Sequence, residues 1–145
     1  MATLDSLAAK LERMAARLDD ELKAAKTEVG TAVITALVNT TPVDTSQALS
    51  NWQASFGAPN APSRPPISPG LAGSTRASSA SAAIAQAQGV FAITPARAPL
   101  FISNSLPYIV PLNEGSSSQA PAGFVARAVL VGNSVLRRRK WFRGR

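Results

Sequence analysis

The sequence predicts a mixed helix-and-strand domain of the α+β class, and three observations carry that prediction. Apolar residues recur at spacings of three and four from Leu4 through Leu7, Leu11, Met14, Leu18, Leu22 and Ala25 to Val29, the stripe of a long amphipathic helix. Two short segments, residues 52–56 and 100–104, read as strands. A last helical pattern covers residues 124–136.

Thr3 is the natural cap of the first helix, its hydroxyl placed to accept from an otherwise unpaired backbone N–H. From Gly30 the pattern becomes apolar around more of its circumference (Ala32, Val33, Ile34, Ala36, Leu37, Val38), so this half is expected to be the buried one. Gly30 marks either a kink or the close approach of another backbone. Pro42 ends the helix: it has no N–H and pushes Thr41 out of the α region. Asp44, Thr45 and Ser46 are cap-type residues, which predicts a short helix over 47–51. Trp52-Gln53-Ala54-Ser55-Phe56 then alternates large apolar with small or polar residues, as a half-buried strand does.

Residues 57–73 hold five prolines and three glycines, leaving no room for regular structure. So long a connection is expected to be an extended, stiff arm gripping a neighbouring subunit through Pro65 and Pro66, with a plain surface insertion as the alternative. Residues 74–88 are Ser/Ala-rich and read as a helix at an edge or interface, stopped by Gly89, with 90–93 a strand or connection. Leu100-Phe101-Ile102-Ser103-Asn104 is the clearest strand. Pro107 fits the first turn of a helix that Gly115 closes. The final helix begins at Phe124 after Pro121 and Gly123, although its β-branched content keeps strand open. The expected organisation is one domain over 1–136, with the 57–73 arm inserted and a basic-aromatic segment at 137–145.

Composition narrows function. The 145 residues include no cysteine and no histidine, which removes thiolate nucleophiles, zinc-thiolate sites, the usual general base and the commonest metal ligand. Six of the eight carboxylates lie within the first 30 residues, and beyond Glu28 only Asp44 and Glu114 remain. An enzyme is therefore not expected, nor a cofactor, a metal site or a small-molecule substrate. No apolar run approaches the 18 residues of a membrane span, and no signal-peptide pattern opens the chain, so no membrane contact and a cytoplasmic start are expected. The net charge of +7 is local: Arg137, Arg138, Arg139, Lys140, Arg143 and Arg145 crowd the last nine residues.

Three blocks stand in order along the chain. The first is Thr41-Pro42-Val43-Asp44-Thr45, followed by Trp52. The second comprises Ile102, Asn104, Pro107 and Tyr108, then Leu112-Asn113-Glu114-Gly115-Ser116. The third is Gln119-Ala120-Pro121-Ala122-Gly123-Phe124. In order and spacing, from about residue 30 to 130, they resemble the tail-component family of tailed bacteriophages, the small neck or tail-completion (terminator-like) proteins. Ser46 stands where that family usually has glycine; if that glycine takes a positive φ, either Ser46 adopts a less favourable conformation or the turn differs locally.

The resemblance implies an α+β fold in which the long helix and the C-terminal helix pack on a small, mostly antiparallel sheet. It also implies function by assembly: a homo-oligomeric ring, six subunits matching a six-fold tail, at the head–tail junction of the virion. There it would cap the tail and join adjacent head-connector and tail-tube proteins, after assembly in the host cytoplasm. The alternatives are a head-side connector or stopper, or a small sequence-independent DNA-binding protein.

Most block residues have a simple structural role. Asp44 and Thr45 read as caps, Asn104 as a turn-binding amide, and Trp52 and Tyr108 as core or interface aromatics. Glu114 is a candidate for an intersubunit ion pair. In the terminal segment, Trp141 and Phe142 are expected to anchor in a neighbouring subunit or ring, with the arginines facing acidic groups there. The other reading has Arg137, Arg138, Arg139, Lys140, Arg143 and Arg145 meeting genomic DNA in the channel without sequence preference.

Overall fold

In the computed structural model, which describes residues 3–60 and 62–142, the Thr3 hydroxyl accepts from the Ser6 N–H at 3.2 Å and opens helix α1 (Leu4–Thr40), 37 residues long. Pro42 stops it as expected, with Thr41 extended at φ −64°, ψ 129°. The chain continues through α2 (Gln47–Ser50), β1 (Gln53–Phe56), α3 (Arg76–Ile93), β2 (Leu100–Ser103), α4 (Ile109–Asn113) and α5 (Phe124–Arg138). β1 and β2 pair antiparallel, Gln53 opposite Ser103 and Phe56 opposite Leu100. The fold is α+β: long N-terminal and C-terminal helices and a small antiparallel sheet.

The C-terminal half of α1 is the axis of the domain, with α5 along one side and α3 along another. Its buried positions, Ala25, Gly30, Ile34, Leu37 and Val38, follow the apolar stripe. Leu49, Trp52, Phe91 and Phe124 complete the centre of the core. α1 passes Gly30 as an uninterrupted helix; the Phe91 ring packs so closely there that a Cβ would sit 2.9 Å from it. Gly132 of α5 plays the reciprocal part, its missing Cβ making room for Val33 and Val29. Two helix pairs are thus drawn together at glycines.

Several expectations are corrected. α3 does not stop at Gly89 but runs four residues further, to Ile93. A mid-helix glycine costs only about 1 kcal/mol, and burying the Phe91 ring outweighs that. α5 continues to Arg138, so Arg137 and Arg138 are helical and not part of a separate segment. Phe56 ends its strand exposed, not buried. Pro107 lies outside α4, as the second residue of the turn that the Ile109 N–H closes on the Leu106 carbonyl at 3.1 Å.

The 57–73 segment is no free arm; it lies against its own protomer. The Arg64 carbonyl accepts from Gln47 Nε2 (2.6 Å) and Asn51 Nδ2 (2.8 Å), while its N–H donates to Asn51 Oδ1 at 2.8 Å. The Arg64 guanidinium donates to the Ser50 carbonyl and to Gln86 Oε1. Burial lowers the Arg64 pKa. Pro65 remains exposed and Pro66 half-buried on the outer side of this latch.

Candidate interaction site

All three sequence blocks contribute to one cleft, the third through Gln119. Pro42, Val43, Asp44, Thr45, Gln47 and Ala48 form one wall, and Tyr108, Leu112, Ser117 and Gln119 the other, around a volume of about 280 Å³. Gln119 Oε1 accepts from the Val43 N–H at 2.9 Å and ties the walls together across 76 residues of sequence. Behind the cleft, Trp52 Nε1 donates to the buried Thr41 hydroxyl at 2.8 Å, and that hydroxyl donates to the Leu37 carbonyl at 2.6 Å. Trp52 is therefore a core residue that fixes the end of α1.

Asp44 and Thr45 do not cap α2. Ser46 holds the capping position in the left-handed region, φ 65° and ψ 7°, with no side-chain cap. It is buried, and its hydroxyl lies 2.9 Å from that of Thr75. An L side chain in this region is strained, so the serine holds its turn at a cost in backbone energy. Asp44 instead holds the end of the Pro-rich segment: Oδ1 accepts from the Ala72 N–H at 3.0 Å and its carbonyl from Gly73 at 2.8 Å. The capping geometry was lost to a loop that returns to this point.

On the other wall Asn104 acts as expected, its amide donating to the Ala48 carbonyl (2.9 Å) and its Oδ1 accepting from the Leu106 N–H (3.2 Å). Gly115 turns the chain at φ 94° against Ala122, a conformation glycine adopts without strain. Glu114 is exposed and pairs with no cation among the described residues. Pro121 is exposed, and Gly123 (φ 79°) leads into the buried Phe124.

Two members of the blocks take roles that the sequence did not assign to them. Asn113 supplies the cap that Gly123 lacks, its Oδ1 accepting from the Val125 N–H at 3.0 Å. Gln119 makes the wall-to-wall bond. Neither has a periodic or compositional signal, because each acts on a backbone group remote in sequence or across a turn.

Tyr108, the single tyrosine, stands at the cleft rim. Partial burial pushes its phenol pKa above the ordinary 10.0. A raised folded value means that the neutral phenol's contribution to stability is complete below the unfolded pKa and is lost as pH rises through the folded one. Absorbance at 295 nm reads this residue's ionisation: the midpoint is expected above 10 in the native protein and near 10 in urea. Equal midpoints in both would place the phenol in open water.

The terminal segment forms a second feature. Arg139 reaches back to α1, donating from Nη2 to Glu21 Oε2 at 2.9 Å and from Nη1 to Glu28 Oε2. Burial by itself would lower the guanidinium pKa, but hydrogen bonds to Glu21 and Glu28 and their charges outweigh it and raise the pKa. The Arg139 guanidinium lies 5.3 Å from the Trp141 ring, and that of Arg17 5.8 Å from Phe142. Phe142 also borders a hollow against Met14, Ala15 and Leu18. Each aromatic makes one cation–π contact within its own protomer, worth about 0.5–1 kcal/mol, and stays largely exposed, Trp141 at 40 % and Phe142 at 47 %. Arg137, Arg138 and Lys140 stay exposed, and Arg143 and Arg145 lie outside the described residues.

Among the described residues no group of three His, Cys, Asp or Glu side chains is placed to hold a metal ion, and no helix is long and apolar enough to cross a membrane. What the cleft offers is shape, one carboxylate, amides and a phenol: the means to receive a protruding side chain or loop. No family model matches this chain, and no curated protein or solved structure matches it.

Proposed function

We propose that this chain is a structural subunit of a tailed-bacteriophage virion, a neck or tail-terminator protein that assembles into a ring at the head–tail junction and works by binding, without turnover. One observation carries the reading most. Pro42 to Thr45 of the first block lie on one wall of a single cleft, and Tyr108 and Leu112 of the second block with Gln119 of the third lie on the other, although the three blocks are distant in sequence. Residues that served only as local stops and caps would have no reason to meet. A cleft whose walls are tied by the Gln119–Val43 hydrogen bond is suited to receive a segment of an adjoining connector, tube or sister subunit.

The DNA-binding alternative rests on the terminal cations, and Arg139 is already committed to Glu21 and Glu28. Arg137, Arg138 and Lys140 remain exposed for either kind of contact. Native mass spectrometry of the purified protein, alone and with tail tubes, combined with antibody labelling of virions, tests the proposal. A six-fold species, or one appearing on tubes, with label at the collar is the expected result. A monomer indifferent to tubes that binds duplex DNA with a steep salt dependence would overturn it.

A further inference from the structure

Arg64 is a half-buried cation that no negative group compensates. The other half-buried cations are each satisfied. Lys26 gives its ammonium to the carbonyls of Pro95, Ala96 and Ala98, and Arg139 pairs with Glu21 and Glu28. Arg76 donates to the Asn39 carbonyl at the C-terminal end of α1, where the helix dipole is negative. Arg64 donates from Nε to the Ser50 carbonyl (2.7 Å) and from Nη1 to Gln86 Oε1 (2.6 Å), both neutral, and its Nη2 donates to nothing among the described residues. No Asp or Glu stands between residues 45 and 113, so α2, β1 and α3, which surround the guanidinium, supply no carboxylate. Withdrawing a cation from water without an anion is unfavourable, and a carboxylate is the acceptor whose two oxygens match the guanidinium fork.

The same guanidinium borders a hollow of about 160 Å³. That is well below the roughly 300 Å³ at which small-molecule pockets begin, and it suits a single side chain. Trp52, Ala83 and Ala87 give the hollow an apolar lining for methylenes. Because Arg64 has only donors to offer, Gln86 turns Oε1 toward it, which leaves the Gln86 amide N–H groups for a further acceptor. One carboxylate of this chain is suited to the place. Glu114 is exposed beside the Gly115 turn, pairs with no cation among the described residues, and has no Lys or Arg in its own segment from 98 to 126. The carboxylates of α1 share their helix with Lys10, Arg13, Arg17, Lys23 and Lys26, so bringing one of them to Arg64 also brings cations. Asp44 is already engaged by the Ala72 N–H.

We propose that the hollow beside Arg64 receives a carboxylate side chain, and that this carboxylate is Glu114 of a second copy of the chain. Each copy then gives one Glu114 and accepts another at Arg64. Such a contact joins two different surfaces and can repeat around a closed ring. The proposal rests on the ring reading above and names one contact that the reading leaves open.

Charge exchange tests it, read by native mass spectrometry in whichever condition, alone or on tail tubes, assembles the wild type. Glu114→Arg and Arg64→Glu are each expected to weaken assembly about 10-fold or more, because each sets like charges against one another. Mixed in equal amounts the two variants should assemble again, since every contact between unlike copies then joins opposite charges. Glu114 is exposed, so its variant should melt as the wild type does. Arg64 also latches the Pro-rich segment. If Arg64→Glu melts early, a double-mutant cycle of Arg64→Lys with Glu114→Gln takes its place; Arg64→Lys keeps the charge and loses the fork, and the two effects should couple. Normal assembly of Glu114→Arg, no recovery in the mixture of folded variants, or simple additivity in the cycle would each overturn the proposal and leave the ring reading standing. Loss with the Arg64 variants alone would put a carboxylate other than Glu114 in the hollow and overturn the assignment. Wild type that assembles neither alone nor on tubes overturns both the contact and the ring.

Discussion

Phe124→Ala should lower the free energy of unfolding by about 3–5 kcal/mol, the usual cost of removing a fully buried aromatic. Phe124 is 1 % exposed and the largest of the fully buried side chains. It is also the first residue of α5, immediately after the turn where Gly123 and Val125 donate to Asn113. Its loss leaves a cavity at the point where α5 meets the core and loosens the approach to the 108–119 cleft wall. In a urea titration the midpoint should fall with little change in slope, the sign of lost stability in an intact fold. Phe124→Leu, which keeps much of the volume, should cost less than half as much. A midpoint shift below about 1 kcal/mol for the alanine variant would contradict the placement of Phe124 at the centre of the core.

Gly30→Leu is expected to cost about 3 kcal/mol, despite the better helix propensity of leucine. A Cβ at Gly30 would already lie 2.9 Å from the Phe91 ring, and a longer side chain forces α3 away from α1. The two sites should therefore couple. Phe91→Ala alone removes a buried ring, at about 3–5 kcal/mol. In the double variant the leucine occupies the vacated space, so the combined cost should fall short of the sum by about 1 kcal/mol or more. Simple additivity would mean that the ring does not pack over Gly30.

Elements governed by local chemistry were legible without tertiary information. The Thr3 cap, the amphipathic run of α1 and its stop at Pro42 follow from backbone donors, side-chain spacing and a missing N–H. Local signals failed where a distant partner offered more. Gly89 reads as a stop, yet Phe91 finds a slot at Gly30 and draws α3 onward. Asp44 reads as a cap, yet the returning 70–73 turn presents two N–H groups to it. The terminal arginines read as one cluster directed at a partner's acidic groups or at DNA, yet Glu21 and Glu28 of α1 take Arg139 out of it.

The candidate site divides in the same way. Its blocks were visible as Thr41-Pro42-Val43-Asp44-Thr45 and as the Asn104–Gly115 run, because turns and stops have local signatures. Their meeting was not, since it depends on Gln119 reaching Val43 and on Trp52 reaching Thr41.

By itself, the sequence determined which residues of α1 share a face and where that helix begins and ends, because periodicity and backbone chemistry act within a few residues. Tertiary structure alone decided what covers each face. It placed Phe91 on Gly30 and Val33 beside Gly132, folded the Pro-rich segment onto α2, and left the seam from Leu4 to Met14 facing solvent. The physical reason is that an apolar stripe specifies burial without specifying the partner, and close packing selects the partner only when the whole chain is assembled.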